Sequence, residues 1–125
     1  MRQPIAKLVA ASAVAAVLSG LAWSPVVTAE EGMAMSAVEQ GKKIAVDRKK
    51  GNCLACHKMG DGTLPGNIGP PLVGMQARFP DKAKLRAQIW DATTRNPNTM
   101  MPPFGRHGIL SEDEIDKVVE YVYTL

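Results

Sequence analysis

Cys53-Leu54-Ala55-Cys56-His57 is the stretch of this 125-residue chain that decides its fold. Two cysteines three positions apart, with a histidine directly after the second, form the attachment motif of c-type haem. At this spacing the two thiols can add to the two vinyl groups on one edge of a porphyrin, and the imidazole can ligate the iron. The motif therefore predicts one covalent haem c on Cys53 and Cys56, with His57 as an axial iron ligand.

Three other interpretations of the cysteine pair are possible. A thioredoxin-like dithiol needs a βαβ pattern, and no such pattern is visible in the sequence. A zinc site needs four ligands, and the chain has only two cysteines and two histidines, so His107 would have to join the motif. A disulfide between cysteines three apart closes too small a loop to stabilise the fold much. Haem attachment is the interpretation that also explains the methionine-proline loop described next.

The iron of such a haem needs a second axial ligand or an open site. Met101 lies 44 residues after His57, directly before Pro102 and Pro103, which stiffen its loop. Thioether and imidazole are a common ligand pair on electron-transfer haem. We therefore predict Met101 as the second ligand. The rivals are Met100 and His107, and weaker candidates are Met33, Met35, Met59 and Met75.

The first 29 residues predict an export signal. Arg2 and Lys7 supply positive charge, an apolar run extends from Leu8 to Trp23, and Val27-Thr28-Ala29 fits the small-residue cleavage rule. The run is short for a membrane-spanning helix, which needs about 20 apolar residues. We expect cleavage after Ala29, leaving a periplasmic domain over residues 30–125 that does not insert stably in the membrane. The alternative is an uncleaved anchor.

The balance of charge does not indicate nucleic-acid binding. The whole chain has a net charge of +3, and two of its fifteen basic residues lie in the predicted leader. The remaining basic residues nearly match the twelve acidic ones. A basic cluster nevertheless surrounds the cysteines, and it is either a docking surface or a solvated helix face. Its members are Lys42, Lys43, Arg48, Lys49, Lys50 and Lys58.

Two capping boxes mark the starts of the first and last predicted helices. Ser36 is followed three residues later by Glu39, and Ser111 is followed in the same way by Glu114. The first helix should end near Lys50-Gly51, where basic residues oppose the negative end of the helix dipole. The last helix has one apolar face, formed by Ile115, Val118, Val119 and Val122.

Another helix is predicted from Asp81 to about Thr94, with Asp81 as its N-cap and Asn96-Pro97 after its end. Its buried stripe should consist of Leu85, Ile89 and either Ala92 or Thr93. The segments 52–81 and 98–108 are rich in glycine and proline and predict ordered loops with neither helix nor strand. A long loop in so small a domain makes sense when it wraps around a cofactor. The predicted class is all-α with long loops.

Four segments resemble class I cytochromes c in their order and spacing: Val38 to Ile44, Cys53 to His57, Gly69-Pro70-Pro71-Leu72-Val73-Gly74, and Met101-Pro102. The resemblance implies three main helices wrapped around the haem. It also implies that the first and last helices cross closely at Gly41 and Tyr121. Finally, it implies that the carbonyl of Pro70 accepts the imidazole proton of His57.

A narrower resemblance covers nearly all of the chain after the leader. Arg78 to Asp81, Leu85 to Asp91, Met101 to His107 and Val118 to Leu125 are similar to the SoxX family, the monohaem subunit of the sulfur-oxidising SoxAX cytochrome. This implies a heterodimer with a SoxA-like cytochrome subunit. Such a complex is an L-cysteine S-thiosulfotransferase, which joins thiosulfate to a cysteine of a SoxYZ-like carrier protein. The SoxX-like chain is not catalytic alone and passes electrons to a downstream acceptor.

Two functions therefore remain open: electron transfer within a thiosulfate-oxidising complex, and a stand-alone soluble cytochrome c that shuttles electrons. The loops 62–74 and 99–109 favour the first, because they hold more apolar side chains than one haem face and a small core can absorb. Those side chains are Leu64, Ile68, Leu72, Val73, Phe104 and Ile109, together with Met75 directly after the first loop. Arg106, His107 and Trp90 could contact a haem propionate, although each also has an ordinary structural interpretation.

Overall fold

Helices and loops make up residues 35–125, the part of the chain that the computed structural model describes. The α-helices are α1 (Ala37–Val46), α2 (Met75–Arg78), α3 (Lys82–Trp90) and α4 (Glu112–Val122), and 3₁₀ helices span Cys53–Ala55 and Ala92–Thr94. The β structure of this part is a single isolated bridge between Met59 and Leu72. The predicted all-α class is confirmed. The predicted leader, its cleavage after Ala29 and Met33 lie outside the described residues.

The two predicted capping boxes are present and begin α1 and α4. The Ser36 hydroxyl accepts a hydrogen bond from the Glu39 N–H at 3.2 Å, and the Glu39 carboxylate accepts one from the Ser36 N–H at 2.9 Å. Ser111 and Glu114 repeat this arrangement at 3.2 and 3.0 Å. Each box satisfies backbone donors that a helix start would otherwise leave unpaired.

The predicted end of the first helix is wrong, because α1 stops at Val46 rather than near Lys50-Gly51. Asp47 adopts an extended conformation, and its carboxylate accepts a hydrogen bond from the Lys49 N–H at 2.8 Å. A short polar side chain that bonds the backbone two residues ahead offers the chain a turn in place of another helical turn. The residues after Asp47 therefore form a turn instead of the last turn of the helix.

The predicted middle helix is also interrupted, and for the same physical reason. α3 ends at Trp90, Asp91 is extended, and a 3₁₀ helix follows over Ala92–Thr94. The Asp91 carboxylate accepts a hydrogen bond from the Thr93 N–H at 3.0 Å. The predicted cap is present, since Asp81 accepts a hydrogen bond from the Ala83 N–H at 2.9 Å. Leu85, Ile89 and Ala92 form the buried stripe.

The loop predicted over residues 52–81 contains two short helices that the sequence did not reveal. One is the 3₁₀ helix Cys53–Ala55 within the cysteine motif, and the other is α2. α2 begins after Gly74, whose φ of 59° lies in the left-handed region that glycine enters without strain. Apart from the isolated bridge between Met59 and Leu72, the rest of the loop has neither helix nor strand, as predicted.

The hydrophobic core lies where α1 crosses α4. The predicted apolar face of α4 is fully buried, and Ala45 of α1 and Leu85 and Ile89 of α3 pack against it. Gly41 makes the crossing possible, because a Cβ atom there would lie 1.9 Å from the Lys117 carbonyl oxygen and 3.1 Å from Tyr121 Cβ. Within residues 35–125, no helix is long and apolar enough to cross a membrane.

Gly41→Ala should lower the free energy of unfolding by about 2 kcal/mol, because the added methyl group forces the α1 and α4 backbones apart. The better helix propensity of alanine offsets only about 1 kcal/mol of that cost. Denaturant unfolding of the haem-loaded protein, followed by circular dichroism, measures the change. Lys43→Ala, at an exposed position of the same helix, should change stability by less than about 0.5 kcal/mol. Equal midpoints for the two variants would contradict the close crossing.

Candidate haem site

The cysteine motif forms one tight turn. Cys53, Leu54 and Ala55 make a 3₁₀ helix, and the N–H groups of Cys56 and His57 both donate to the Cys53 carbonyl, at 3.1 and 2.9 Å. Asn52 precedes the turn with a φ of 46°, a left-handed conformation that asparagine tolerates better than most residues. Both cysteines are free and half-buried. The turn therefore carries two unpaired thiols beside an imidazole.

The environment of Cys53 does not suit a redox dithiol. Burial raises the pKa of its thiol to about 11. Thiol–disulfide exchange needs the thiolate, and redox-active cysteines in Cys-x-x-Cys motifs have lowered pKa values. A thiol that stays protonated in an apolar setting fits a structural or attachment role better than a thioredoxin-like one.

The imidazole of His57 is fixed by two neighbours. Its Nδ1–H donates to the Pro70 carbonyl oxygen at 2.7 Å, the contact that the resemblance to class I cytochromes c implies. With Nδ1 used in this way, Nε2 is the nitrogen left with a lone pair for a metal. The second neighbour is Gly69, which lies against the imidazole ring, because a Cβ atom there would be 2.3 Å from His57 Cε1. Sequence reasoning missed this role of Gly69, although the Gly-Pro-Pro sequence contained the signal.

Backbone hydrogen bonds fold the following loop back onto the motif. The Gly66 N–H donates to the Leu54 carbonyl at 2.9 Å, and the Gly69 N–H donates to the Cys56 carbonyl at 2.9 Å. A third bond, of 2.8 Å, joins the Leu72 N–H to the Lys58 carbonyl. Gly66 passes so close that a Cβ atom would lie 1.8 Å from the Ala55 oxygen. These bonds order the loop without a strand and bring Pro70 to His57.

The methionines occupy different environments. Met101 is half-buried and packs against the hydrophobic core, and its N–H donates to the Thr99 hydroxyl at 3.2 Å. Its neighbour Met100 is 77% exposed. Met59 and Met75 are almost completely enclosed by protein. Among these four thioethers, Met101 is the one that is partly buried and also lies in a proline-stiffened loop. It remains our predicted ligand.

Two of the side chains that could contact a propionate have protein partners. The Arg106 guanidinium lies 3.0 Å from the carboxylate of Asp91, a buried residue that sequence reasoning did not single out. The Trp90 ring packs against Gly105, where a Cβ atom would lie 2.1 Å from the indole. His107 is exposed. The burial of Asp91 could not be predicted from the helical pattern of α3, because an aspartate near a helix end usually faces solvent.

The basic cluster is partly neutralised. Lys42 pairs with Asp61 at 2.7 Å, and Lys50 pairs with Glu114 of α4. The Lys42 pair joins α1 to the loop after the motif, and the Lys50 pair joins the turn before the motif to α4. The other members of the cluster are exposed and remain available to a partner: Lys43, Arg48, Lys49 and Lys58.

These residues fit a covalently attached haem. The thiols of Cys53 and Cys56 are free and lie in one turn, His57 has one ring nitrogen left for iron, and Met101 is a half-buried thioether. By contrast, residues 35–125 contain no cluster of three or more His, Cys, Asp or Glu side chains of the kind that the zinc alternative needs.

Comparisons with known proteins agree with this geometry. The family model described as "Cytochrome C oxidase, cbb3-type, subunit III" matches residues 36–122. A chain of the crystal structure of SoxXA from P. pantotrophus superimposes with a TM-score of 0.64 and 32% sequence identity, over 73% of this chain and 82% of that one.

A curated relative from Aquifex aeolicus (strain VF5), named as an uncharacterized lipoprotein, is 39% identical over 77 residues. The match covers 60% of this chain but only 37% of the relative, so this chain spans little more than a third of that protein's length. The family model and the SoxXA chain, in contrast, each match over most of residues 35–125. The chain belongs to the family "Cytochrome C oxidase, cbb3-type, subunit III" and is a class I c-type cytochrome, close to SoxX, of the kind that carries covalent haem c.

Proposed function

We propose that this chain holds one haem through Cys53 and Cys56, with His57 and Met101 as axial iron ligands, and carries electrons as the SoxX-like subunit of a thiosulfate-oxidising complex. The observation that carries the proposal is the orientation of His57. Its Nδ1–H is bonded to the Pro70 carbonyl, and its Nε2 is left for iron. A single Cys-x-x-Cys-His sequence supports a single haem.

The bound haem would supply a one-electron exchange between ferric and ferrous iron. The chain's own residues would set how easily that exchange occurs. The hydrogen bond to Pro70 holds the His57 ring in one tautomer and raises its basicity toward a metal. A thioether from Met101 favours a higher reduction potential than a second imidazole would. Two protein ligands, His57 and Met101, would leave no position on the iron for a substrate, which favours electron transfer as the role of the chain.

The exposed apolar side chains support a partner subunit. Two of the seven that we counted from the sequence, Met75 and Phe104, are buried in the core and do not contribute. Leu72 is half-buried and packs on that core. The remaining four are exposed, together with Met100, and Leu64 has 96% of its surface in water. A SoxA-like subunit that covered them would gain about 25 cal/mol for each Å² of apolar surface buried.

The similarity to a SoxXA chain supports a SoxA-like partner, and the chemistry proposed for that partner follows from the SoxX-like sequence. In the proposed complex, thiosulfate is joined to a cysteine thiol of a SoxYZ-like carrier protein at the SoxA-like subunit, which releases two electrons. This chain takes them one at a time and passes them to a downstream acceptor. The proposed location is the periplasm, after cleavage following Ala29, and a relative named as a lipoprotein supports export of the chain.

The haem of the wild-type protein should remain with the polypeptide through acidic solvent extraction, because thioether bonds survive denaturation. Cys53→Ser and Cys56→Ser should each weaken that retention, and the double variant should release the haem completely. The absorbance of the extracted and protein phases measures the partition. Free extraction of haem from the wild-type protein would show that the cysteines do not form the attachment.

Met101→Ala should abolish the weak absorption band at the red end of the oxidised spectrum that accompanies methionine ligation, and it should lower the reduction potential. Met100→Ala is the matched control, since the neighbouring thioether is mostly in water and should leave both properties unchanged. His107→Ala tests the other rival. If His107→Ala rather than Met101→Ala removed the low-spin character, the ligand assignment would be wrong.

Co-expression with a SoxA-like subunit from the same organism should give a stable one-to-one complex by mass measurement in solution. Leu64→Glu should weaken that complex by about tenfold or more, because it places a charge in an apolar contact. Lys84→Glu, on α3 and outside the two apolar loops, should not. Two components that migrate separately well above micromolar concentration would instead favour the stand-alone electron shuttle.

A further inference from the structure

The loop that carries Met101 is tied at its base to the end of α3. The chain leaves α3 at Trp90 and returns to the same place at Gly105 and Arg106. The N–H groups of these two residues both donate to the Trp90 carbonyl, at 3.1 and 3.4 Å. The Gly105 backbone also packs directly on the indole ring, since a Cβ atom there would lie 2.1 Å from Trp90 Cε3.

Asp91 adds an ion pair to this base. It is only 6% exposed and is the one buried charged side chain within residues 35–125. One of its carboxylate oxygens accepts hydrogen bonds from the Thr93 N–H and hydroxyl, and the other lies 3.0 Å from the Arg106 guanidinium. The Thr93 hydrogen bonds, assisted by the charge of Arg106, lower the pKa of Asp91. The carboxylate is therefore ionised at neutral pH.

A buried carboxylate is unfavourable unless its oxygens are satisfied. The bonds from Thr93 are enough to end α3 and begin the 3₁₀ helix, and they satisfy one oxygen. The other oxygen faces the returning segment of the loop, where it pairs with the Arg106 guanidinium. The burial of Asp91 and the closure of the loop therefore depend on each other.

We propose that Asp91 and Arg106 are positioning residues for Met101, and that their ion pair acts as a clasp that closes the loop and keeps the methionine sulfur at the iron. The inference rests on the proposed ligand role of Met101. Arg106 follows Met101 by five residues, so opening the clasp frees the chain on the C-terminal side of the ligand. A loop with a closed base keeps its side chain at a high effective concentration near its target.

Opening of the loop can be measured with imidazole, a small ligand that competes for the position that a methionine leaves. The apparent affinity for such a competitor rises with the fraction of molecules in which the loop is open. Imidazole titration of the oxidised, haem-loaded protein, followed by loss of the methionine band, therefore reports on the clasp. The temperature at which the band disappears is a second readout, independent of any electron-transfer assay.

Asp91→Asn and Arg106→Gln should each increase the apparent imidazole affinity, by about threefold to tenfold for a charge-assisted contact with one half-exposed partner. Arg106→Lys keeps the positive charge and should increase the imidazole affinity less than Arg106→Gln does. Lys82→Gln is the matched control, because it removes a 3.0 Å ion pair between α3 and α4, to Glu120, and leaves the loop base intact. It should lower overall stability and leave imidazole affinity unchanged.

The double variant Asp91→Asn/Arg106→Gln should match the single variants, because all three remove the same ion pair. Additive effects would mean that Arg106 acts through another group, such as a haem propionate, and would overturn the clasp. Unchanged imidazole affinity in Arg106→Gln, at an exposed position where the variant should fold, would also overturn it. Met101→Ala separates the two proposals. If the methionine band survives in this variant, both the ligand role of Met101 and the clasp are wrong. If the band is lost but Arg106→Gln leaves the imidazole affinity unchanged, only the clasp is wrong.

Discussion

The structure depends on the placement of one imidazole. The hydrogen bond from His57 Nδ1–H to the carbonyl of Pro70 fixes the orientation of the ring. That bond requires the chain to return to the motif thirteen residues later, and it requires glycine at position 69 so that the ring can approach the backbone. The irregular segment between them is thus constrained at both ends. Its backbone hydrogen bonds to Leu54, Cys56 and Lys58 are the consequence.

The α1–α4 crossing supplies the rigid support for this segment. Gly51 joins the two parts: its N–H donates to the Ile44 carbonyl at 3.1 Å, and a Cβ atom there would lie 3.2 Å from Cys53 Sγ. The first thiol therefore lies beside Gly51, which packs on Ile44 and Ala45 of α1, and Gly41 lets α1 pack closely on α4. At the surface, the ion pair of Lys50 with Glu114 joins the turn before the cysteine motif to α4. The attachment turn is positioned by helices that contain none of the proposed ligands.

Features that depend on neighbouring residues could be predicted from the sequence. The capping boxes at Ser36 and Ser111, the attachment motif and the all-α class all rest on local spacing, and the structure contains them. The ends of α1 and α3 could not be predicted, because Asp47 and Asp91 are compatible with the exposed face of a longer helix. In both cases the carboxylate bonds a backbone N–H two residues ahead, and this local competition ends the helix.

The sequence also could not predict which apolar side chains of the irregular segments are buried. Met75 and Phe104, like Leu64 and Ile68, lie in the glycine- and proline-rich segments 52–81 and 98–108, and nothing local separates the two pairs. The structure buries the first pair and exposes the second. Met75 is fixed by a distant contact, since its N–H donates to the carbonyl of the last residue, Leu125, at 3.2 Å. Side-chain burial in irregular segments is set by such long-range contacts, which periodicity cannot report.

The two proposed axial ligands are held with different rigidity. His57 is enclosed by a network of backbone hydrogen bonds, which are short, numerous and independent of side-chain rotamers. Met101 is held by packing, by two proline residues and by a loop base in which one side-chain ion pair joins two backbone bonds. A thioether is also neutral, and its long side chain has more rotatable bonds than an imidazole. The methionine side is therefore the weaker half of the site, and sequence changes at the base of its loop are the ones that would alter the electronic properties of the iron without touching the attachment turn.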